Sequence, residues 1–156
     1  MTEIFNTLGF KYGSVNLTYQ KNSKGVYKKV PQYKGSWLDC KIDKSFNSYY
    51  VVCCEVSNII VLDIDDVEND TAKKLMKKAY KCCNCIIKTK RGLHFYFAYN
   101  SKFNQTIHKA SHGFDLVSNG AHIYTVGSKY TDEKGDLFTY KFEKTPEMGS
   151  TTINKM

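Results

Sequence analysis

Three aspartates next to one apolar run are the residues whose types and spacing are best suited to chemistry. Asp63, Asp65 and Asp66 follow the run Ile59 to Leu62. This run of β-branched and leucyl residues predicts a strand buried on both faces. Asp63 and Asp65 are expected to point to the same side, about 6.6 Å apart along the strand, with Asp66 as a turn residue. The pair is suited to divalent cations, or it marks a solvated acidic loop at a strand end.

A second group of candidates lies in the turn Lys90-Arg91-Gly92, between two strand-like runs. A glycine in such a turn lets backbone N–H groups approach phosphate oxygens. In the run Leu93 to Ala98 that follows, every second residue from Leu93 is apolar, and His94 lies between two of these apolar residues. His94 is therefore expected to point away from the core, onto a surface or into a cleft.

A third candidate, Asp115, lies in a segment that the sequence predicts to be a β-hairpin. Asn119-Gly120 between two strand-like runs is the strongest short-range hairpin signal. With a two-residue loop, Leu116 pairs with Ile123, and Asp115 pairs with Tyr124 on the opposite, polar face. If all these strands share one sheet, the three sites converge on one cleft. Acids that hold metals and cations that bind phosphates are what phosphoryl transfer requires.

The elements that must position these residues predict one compact domain of mixed α and β structure. One amphipathic helix is expected to begin at Asn69 to Thr71 and to end near Lys81. Little apolar content follows Glu143, so a mobile tail is expected there. Strand-like runs surround the helix at Tyr49 to Cys54, Ile59 to Leu62, Cys85 to Ala98 and Leu137 to Phe142.

Composition favours an intracellular protein with a polyanionic partner. The 156 residues are 42% apolar, as in globular proteins. No apolar run approaches the roughly 18–20 residues of a membrane span, and no secretory signal is evident. Lys and Arg number 23 against 15 acids, a net charge of +8, which favours nucleic acid or nucleotide as the partner.

Six cysteines leave two interpretations open. Cys82, Cys83 and Cys85 lack the paired spacing of a structural zinc site, so reduced thiols or a zinc-like cluster are both compatible with the sequence. Disulfides are not expected in an intracellular protein. His108 and His112 stand four residues apart, but without an acidic partner in the sequence they are expected on the surface.

Three segments, in this order, resemble the archaeo-eukaryotic primase superfamily. The closest likeness is to the bifunctional primase/polymerase domain at the N-terminus of plasmid, phage and large-virus replication proteins. The segments are Val61 to Asp65, Thr89 to Phe97 and Phe114 to Val117. They are similar to the family's Asp-x-Asp, its Gly-containing turn leading to His, and its lone Asp. The likeness covers residues 25 to 142, and Val126-Gly127-Ser128 stands where the family usually has Pro-Pro-Ser.

The resemblance implies a fold and a set of roles. The fold is a primase catalytic core: an antiparallel sheet like that of the RNA-recognition motif, beside a small N-terminal α/β subdomain. Asp63, Asp65 and Asp115 would be catalytic and would hold two Mg²⁺ or Mn²⁺ ions, one at the attacking 3′-hydroxyl and one on the triphosphate. The nucleotide-binding residues implied are Lys90, Arg91, Gly92, His94, Ser128 and Lys129.

The resulting prediction is template-directed nucleotidyl transfer, by a DNA primase, a DNA polymerase or both. The partners would be a DNA template and primer and NTP or dNTP. A non-catalytic nucleic-acid-binding module and a metal-dependent nuclease or phosphatase stay open as alternatives. Residues 1–142 are predicted to be the catalytic domain, and 143–156 a loose tail leading to further domains, such as a helicase. The composition is compatible with an AT-rich viral or plasmid genome.

Overall fold

A computed structural model describes residues 2–146 and 153–156 of the chain. Within them the chain forms two α-helices, α1 (Thr2–Leu8) and α2 (Asp70–Cys82). The strands are β1 (Tyr12–Lys21), β2 (Tyr27–Tyr33), β3 (Ser48–Val52), β4 (Ile59–Ile64), β5 (Ile86–Lys88), β6 (Leu93–Ala98), β7 (Ile107–Lys109), β8 (Phe114–Val117), β9 (His122–Tyr124), β10 (Lys129–Thr131), β11 (Leu137–Thr139) and β12 (Lys141–Lys144). This content confirms the α+β class.

The strands form three sheets in which all neighbouring strands are antiparallel. The largest has the order β12-β5-β6-β4-β8-β7. A four-stranded sheet has the order β2-β1-β3-β9, and β10 and β11 form a separate pair. Strand β4 lies inside the six-stranded sheet, with β6 on one side and β8 on the other. Every residue near the middle of β4 therefore has a neighbour on both sides.

Both faces of the six-stranded sheet are covered, which explains the unbroken apolar run of β4. Ile60, Leu62 and Ile64 pack toward α2, in one apolar cluster with Ala72. Val61 belongs to a second cluster, which includes apolar residues of α1 and the four-stranded sheet. The expected strand buried on both faces is confirmed, because Ile59, Ile60 and Val61 are fully buried.

Helix α2 begins where its sequence predicts. The side chain of Asn69 accepts hydrogen bonds from the backbone N–H groups of Thr71 and Ala72, which satisfies two donors of the first turn. The helix ends at Cys82, one residue beyond the expected end. Among the residues described, neither helix has the length and apolar character required to span a membrane.

The predicted hairpin at Asn119-Gly120 is wrong. Strands β8 and β9 flank that turn, but they belong to different sheets. Strand β8 pairs with β4 and β7, so both of its edges are occupied, while β9 pairs with β3. The expected pair of Asp115 with Tyr124 therefore does not form, and Asp115 instead lies opposite Asp63.

The segment that was expected to be a loose tail begins inside a strand. Strand β12 continues to Lys144 and pairs with β5. Ile153 is buried, and the backbone carbonyl of Asn154 accepts a hydrogen bond of 2.9 Å from the N–H of Ala98. Residues 147–152 lie outside the described part of the chain.

Gly92, in the turn before β6, packs against the backbone at the end of β4. We predict that this position cannot accommodate a side chain. A Cβ built on Gly92 would lie 1.6 Å from the carbonyl oxygen of Ile64. We expect Gly92→Ala to lower the free energy of unfolding by about 3 kcal/mol or more, because the obstacle is backbone that cannot move independently. Urea or thermal unfolding measures the loss.

Gly120→Ala is the matched control for this prediction. Gly120 has a φ of +74°, and a Cβ at this position would have no atom within 4 Å, so alanine there adds backbone strain without a collision. We expect it to cost about 1–2 kcal/mol. Equal losses for the two variants would contradict a steric role for Gly92.

Candidate metal centre

Three carboxylates meet on the face of the six-stranded sheet that the four-stranded sheet covers. Asp63, in β4, lies directly opposite Asp115 of β8 on one side and directly opposite His94 of β6 on the other. Asp65 follows two residues after Asp63, just beyond the end of β4. One oxygen from each of the three aspartates lies within 4.8 Å of the others. The three acids are therefore close enough to bind a metal ion.

The end of β4 is fixed by the turn before β8. The backbone N–H groups of Asp65 and Asp66 donate to the carbonyl of Gly113 at 2.9 and 3.2 Å. Gly113 has a φ of +79°, and a Cβ there would lie 2.9 Å from the carbonyl oxygen of Asp66. The side chain of Asp66 is exposed and accepts from the N–H of Glu68. Asp66 is a turn residue, as the sequence predicts.

Three like charges in a half-buried site shift one another's protonation. Burial and the nearby charges of Asp63 and Asp115 raise the pKa of Asp65. Burial also acts to raise the pKa of Asp63, but the hydrogen bond and charge of His94, with Lys29 and Arg91, outweigh it, so this pKa is lowered. The site thus keeps Asp63 ionised and makes a negative charge on Asp65 costly without a cation.

His94 lies between the two sheets. Its side chain is 6% exposed, and Nε2 lies 3.2 Å from Asp63 Oδ1. The sequence correctly predicts the side of the sheet to which His94 points. The four-stranded sheet covers that side, however, so the histidine is buried. Its Nδ1 is buried with no hydrogen-bond partner among the described residues. Buried polar atoms without a partner are unusual in folded proteins.

Two adjacent cavities lie beside Asp63 and Asp65. The first has a volume of about 290 Å³, and its lining includes Asp63, Asp65 and His94. The second, which we call the outer groove, has a volume of about 480 Å³. The two share Asp65, Thr89, Lys29, Tyr124 and Tyr140 as lining residues. The outer groove therefore extends from Asp65 to Tyr19 and Tyr27 of the β1–β2 hairpin.

Lys29, on β2, is the cation of this site that sequence reasoning missed. Its Nζ donates to the hydroxyl of Tyr140 at 2.8 Å, and it lies 5.5–5.7 Å from the ring centres of Tyr124, Tyr130 and Tyr140. Burial lowers the pKa of Lys29, although Asp63 and Asp65 act to raise it. In the sequence Lys29 is one of many lysines, and only the pairing of β2 with β1 shows where it points.

The turn that contains Lys90 lies at the outer groove, and some of its polar groups already have partners within the protein. Lys90 Nζ lies 2.8 Å from Asp132 and 3.8 Å from Glu133, so acids already neutralise it. Arg91 is exposed and lines the outer groove. The N–H of Gly92 donates to Thr89 Oγ1 at 3.0 Å. Of the predicted phosphate contacts in this turn, Arg91 is the most available.

Ser128 and Lys129 are not brought to the acids. Ser128 is fully buried, and its hydroxyl donates to the carbonyl of Tyr49 at 2.8 Å and accepts from the Tyr49 N–H. The Lys129 N–H donates to Ser48 Oγ. Neither residue is among those that line the two cavities. Ser128 joins two segments of backbone, a role that the sequence does not indicate.

The cysteines form no comparable group. Among the described residues, the three aspartates are the one set of His, Cys, Asp or Glu side chains placed to hold a metal. The thiols are free, and the buried Cys83 thiol donates to the carbonyls of Cys85 and Tyr96. Of the two interpretations, the positions of the described cysteines favour free thiols. His108 is 77% exposed, and its Nδ1 lies 3.5 Å from Asp115.

Comparison with models of known protein families finds none that matches the chain, and comparison with curated proteins finds no significant match. Conclusions about function therefore depend on the site. Its donors are carboxylate oxygens, the ligands that Mg²⁺, Mn²⁺ and Ca²⁺ prefer. Three such oxygens within 4.8 Å of one another fit a hard divalent cation.

We predict that Asp115→Asn has opposite effects on stability without and with a divalent cation. In EDTA we expect the free energy of unfolding to rise by about 0.2–1 kcal/mol, because a like-charge pair on adjacent strands is removed. Wild type should gain about 2.7 kcal/mol at a Mn²⁺ concentration 100 times its Kd, and the variant should gain less. Thermal unfolding with and without Mn²⁺ measures both effects.

Asp136→Asn is the control, since Asp136 is an exposed acid in the β10–β11 turn. It should leave the gain with Mn²⁺ unchanged. An equal gain in wild type and Asp115→Asn would contradict metal binding by the three acids.

A second prediction concerns His122, which lines the first cavity. Its ring stacks on Trp37 at 4.4 Å, and its Nε2 lies 2.6 Å from the hydroxyl of Tyr33. Burial lowers its pKa from 6.5 to about 4. As pH falls, the unfolded chain protonates His122 at a higher pH than the folded chain does. The free energy of unfolding should therefore fall by up to about 3 kcal/mol as pH drops from 6.5 to 4.

His122→Gln should remove this part of the pH dependence. The measurement is the free energy of unfolding from urea titrations at several pH values between 6.5 and 4. Identical slopes for wild type and His122→Gln would show that His122 does not take up a proton on unfolding.

Proposed function

We propose that this chain is a nucleotidyltransferase that extends or starts a nucleic-acid strand on a DNA template, with two divalent ions held by Asp63, Asp65 and Asp115. The observation that supports this most is the meeting of three carboxylates within 4.8 Å of one another, beside a buried histidine. Cations for phosphates line the cavities next to them. This is the division of labour that phosphoryl transfer uses.

Each side chain has a role in this mechanism that follows from its position. Asp63, Asp65 and Asp115 would hold Mg²⁺ or Mn²⁺, which supply Lewis acidity at the attacking 3′-hydroxyl and at the triphosphate. His94, which lines the first cavity and lies against Asp63 through Nε2, would hydrogen-bond the triphosphate. Lys29 and Arg91 are the cations placed to bind the triphosphate.

Membership of the primase superfamily is part of this proposal, and the strand order supports it. The central strands have the order β5-β6-β4-β8, and α2 connects β4 to β5. An RNA-recognition-motif sheet has this order and this first crossover helix. In place of its second helix, the segment between β6 and β8 contains two 3₁₀ turns and β7. The acids lie on the sheet face away from α2.

The proposed partners are a DNA template, a primer and nucleoside triphosphates. The net charge of +8 is compatible with polyanionic partners, and most of it comes from lysines suited to phosphate contact. A helicase in the same larger replication protein is a further proposed partner. Mg²⁺ and Mn²⁺ are the proposed ions because both take oxygen ligands of this kind.

We predict that Asp63→Asn abolishes incorporation of dNTPs or NTPs into a labelled primer on a DNA template. The loss should be at least about 100-fold, because metal stabilisation of the transition state contributes several kcal/mol. The assay is gel analysis of the labelled primer with Mg²⁺ or Mn²⁺. A variant that extends the primer as wild type does would refute the mechanism.

Asp66→Asn is the matched control. Asp66 lies in the turn directly after Asp65 and outside the site, so this variant should retain full activity. The same gel separates the other classes of function. Shortening of the primer without nucleotides indicates a nuclease, and a mobility shift without any metal-dependent product indicates a binding module. Either result would overturn the proposed polymerisation.

A further inference from the structure

The inner face of the β1–β2 hairpin has a pattern of side chains that the catalytic site does not explain. Tyr19 lies opposite Lys29, and Lys21 lies opposite Tyr27. Directly opposed residues and residues two apart share a face, so two tyrosines and two lysines alternate on one surface. Lys29 is the end of this pattern nearest the acids. Tyr19, Tyr27 and Lys21 continue it away from them, toward the tip of the hairpin.

The tyrosines form a continuous set of rings along the outer groove. Tyr27 stacks on Tyr19, with ring centres 5.6 Å apart and an angle of 19°. Tyr19 in turn lies 5.4 Å from Tyr130, against which the Lys29 ammonium also rests. Tyr27, at the outer end, is 39% exposed. The groove therefore leads from Asp65 to an open aromatic surface.

Tyr19 and Tyr27 are held by ring and cation contacts, unlike several tyrosines around the site whose hydroxyls are hydrogen-bonded. Tyr33 bonds to His122, Tyr96 to Thr125, and Tyr140 to Lys29. In the described part of the chain, neither Tyr19 nor Tyr27 has a hydrogen bond from its hydroxyl, and their contacts are to rings and to Lys90. The faces of these two rings, rather than their hydroxyls, make the contacts along the groove.

Positive charge accompanies these rings. Of the cations along the groove, Lys90 is neutralised by Asp132 and Glu133. Lys28 and Arg91, which line the groove, and Lys21, which lies opposite Tyr27 beside it, have no acid within 4.0 Å among the described residues. Stacking rings next to unpaired cations are what proteins use to bind single-stranded nucleic acid without reading its sequence.

We infer that the inner face of the β1–β2 hairpin, Tyr19, Lys21, Tyr27 and Lys29, binds a single strand of nucleic acid that runs along the outer groove to the acids. Bases stack on the exposed ring of Tyr27 and on the edge of its stack with Tyr19. Lys21 contacts the backbone phosphates at the outer end. The inference deepens the proposed function and rests on it, because it names the surface that delivers the strand to the site.

A single strand fits this surface better than a mononucleotide. The triphosphate of a mononucleotide bound at the acids is proposed to contact Lys29 and Arg91, at the inner end of the groove. Tyr27 and Lys21 form the facing pair that lies closer to the tip of the hairpin than the pair of Lys29 and Tyr19. Only a ligand longer than one nucleotide is expected to depend on both ends.

The test is the affinity of the full chain for a fluorescent oligothymidine of about 20 nucleotides, measured by anisotropy in EDTA so that no chemistry occurs. We expect Tyr27→Ala to weaken binding roughly tenfold, the usual effect of removing one stacking ring. Tyr27→Phe should bind as wild type does. Lys21→Ala should reduce the slope of log affinity against log salt by about 1.

Tyr80→Ala is the matched control, because Tyr80 is 41% exposed on α2, on the far side of the six-stranded sheet. Thermal unfolding of each variant confirms that the hairpin is folded. Unchanged affinity in folded Tyr27→Ala, or the same loss in Tyr80→Ala, would overturn the inference. So would a Tyr27→Ala loss that appears with dTTP but not with the oligonucleotide.

These outcomes are separate from those of the proposed function. The affinity is measured in EDTA, so it does not depend on catalysis by the acids. If primer extension fails in wild type but the Tyr27 dependence is found, the catalytic proposal is refuted and the binding surface stands. If extension occurs without Tyr27 dependence, the inference about the hairpin is refuted alone.

Discussion

The repulsion among three carboxylates on adjacent strands is the constraint on which the rest of this structure depends. Asp63 and Asp115 are opposed in a β-ladder, and the register of β4 with β8 gives them no freedom to separate. Like charges in this position destabilise a sheet, and burial increases the cost. His94, on the other side of Asp63, compensates for only part of it. The fold thus holds an arrangement that a bound cation would relieve.

The four-stranded sheet turns this cluster from an acidic surface into a site. It covers the sheet face that bears the acids, so that the open positions around them become cavities. It also brings Lys29 from β2 into the space beside Asp63 and Asp65, more than thirty residues away in the chain. Tyr140 then fixes the lysine from the opposite side. The six-stranded sheet supplies the acids, and the four-stranded sheet supplies a cation beside them.

Local patterns were sufficient to predict the buried strand β4 and the start of α2 at Asn69, whereas the meeting of Asp63, Asp65 and Asp115 was expected only if their strands shared one sheet. The first two depend on side-chain alternation or a cap, which act within a few residues. The hairpin at Asn119-Gly120 failed because turn residues do not show whether a strand already has partners on both edges. Lys29 and the clamp formed by Ser128 depend on the pairing of distant strands, which no local pattern encodes.

The position of Lys29 has a consequence for the order of binding. Three carboxylates attract Lys29 and Arg91 when no metal is present, which is why both act to lower the pKa of Asp63. Two divalent ions would bring four positive charges to the acids and cancel that attraction. Lys29 and Arg91, which line the outer groove, would then be free to bind an anion there. Metal binding and triphosphate binding are therefore expected to favour each other through charge alone, without any movement of the sheets.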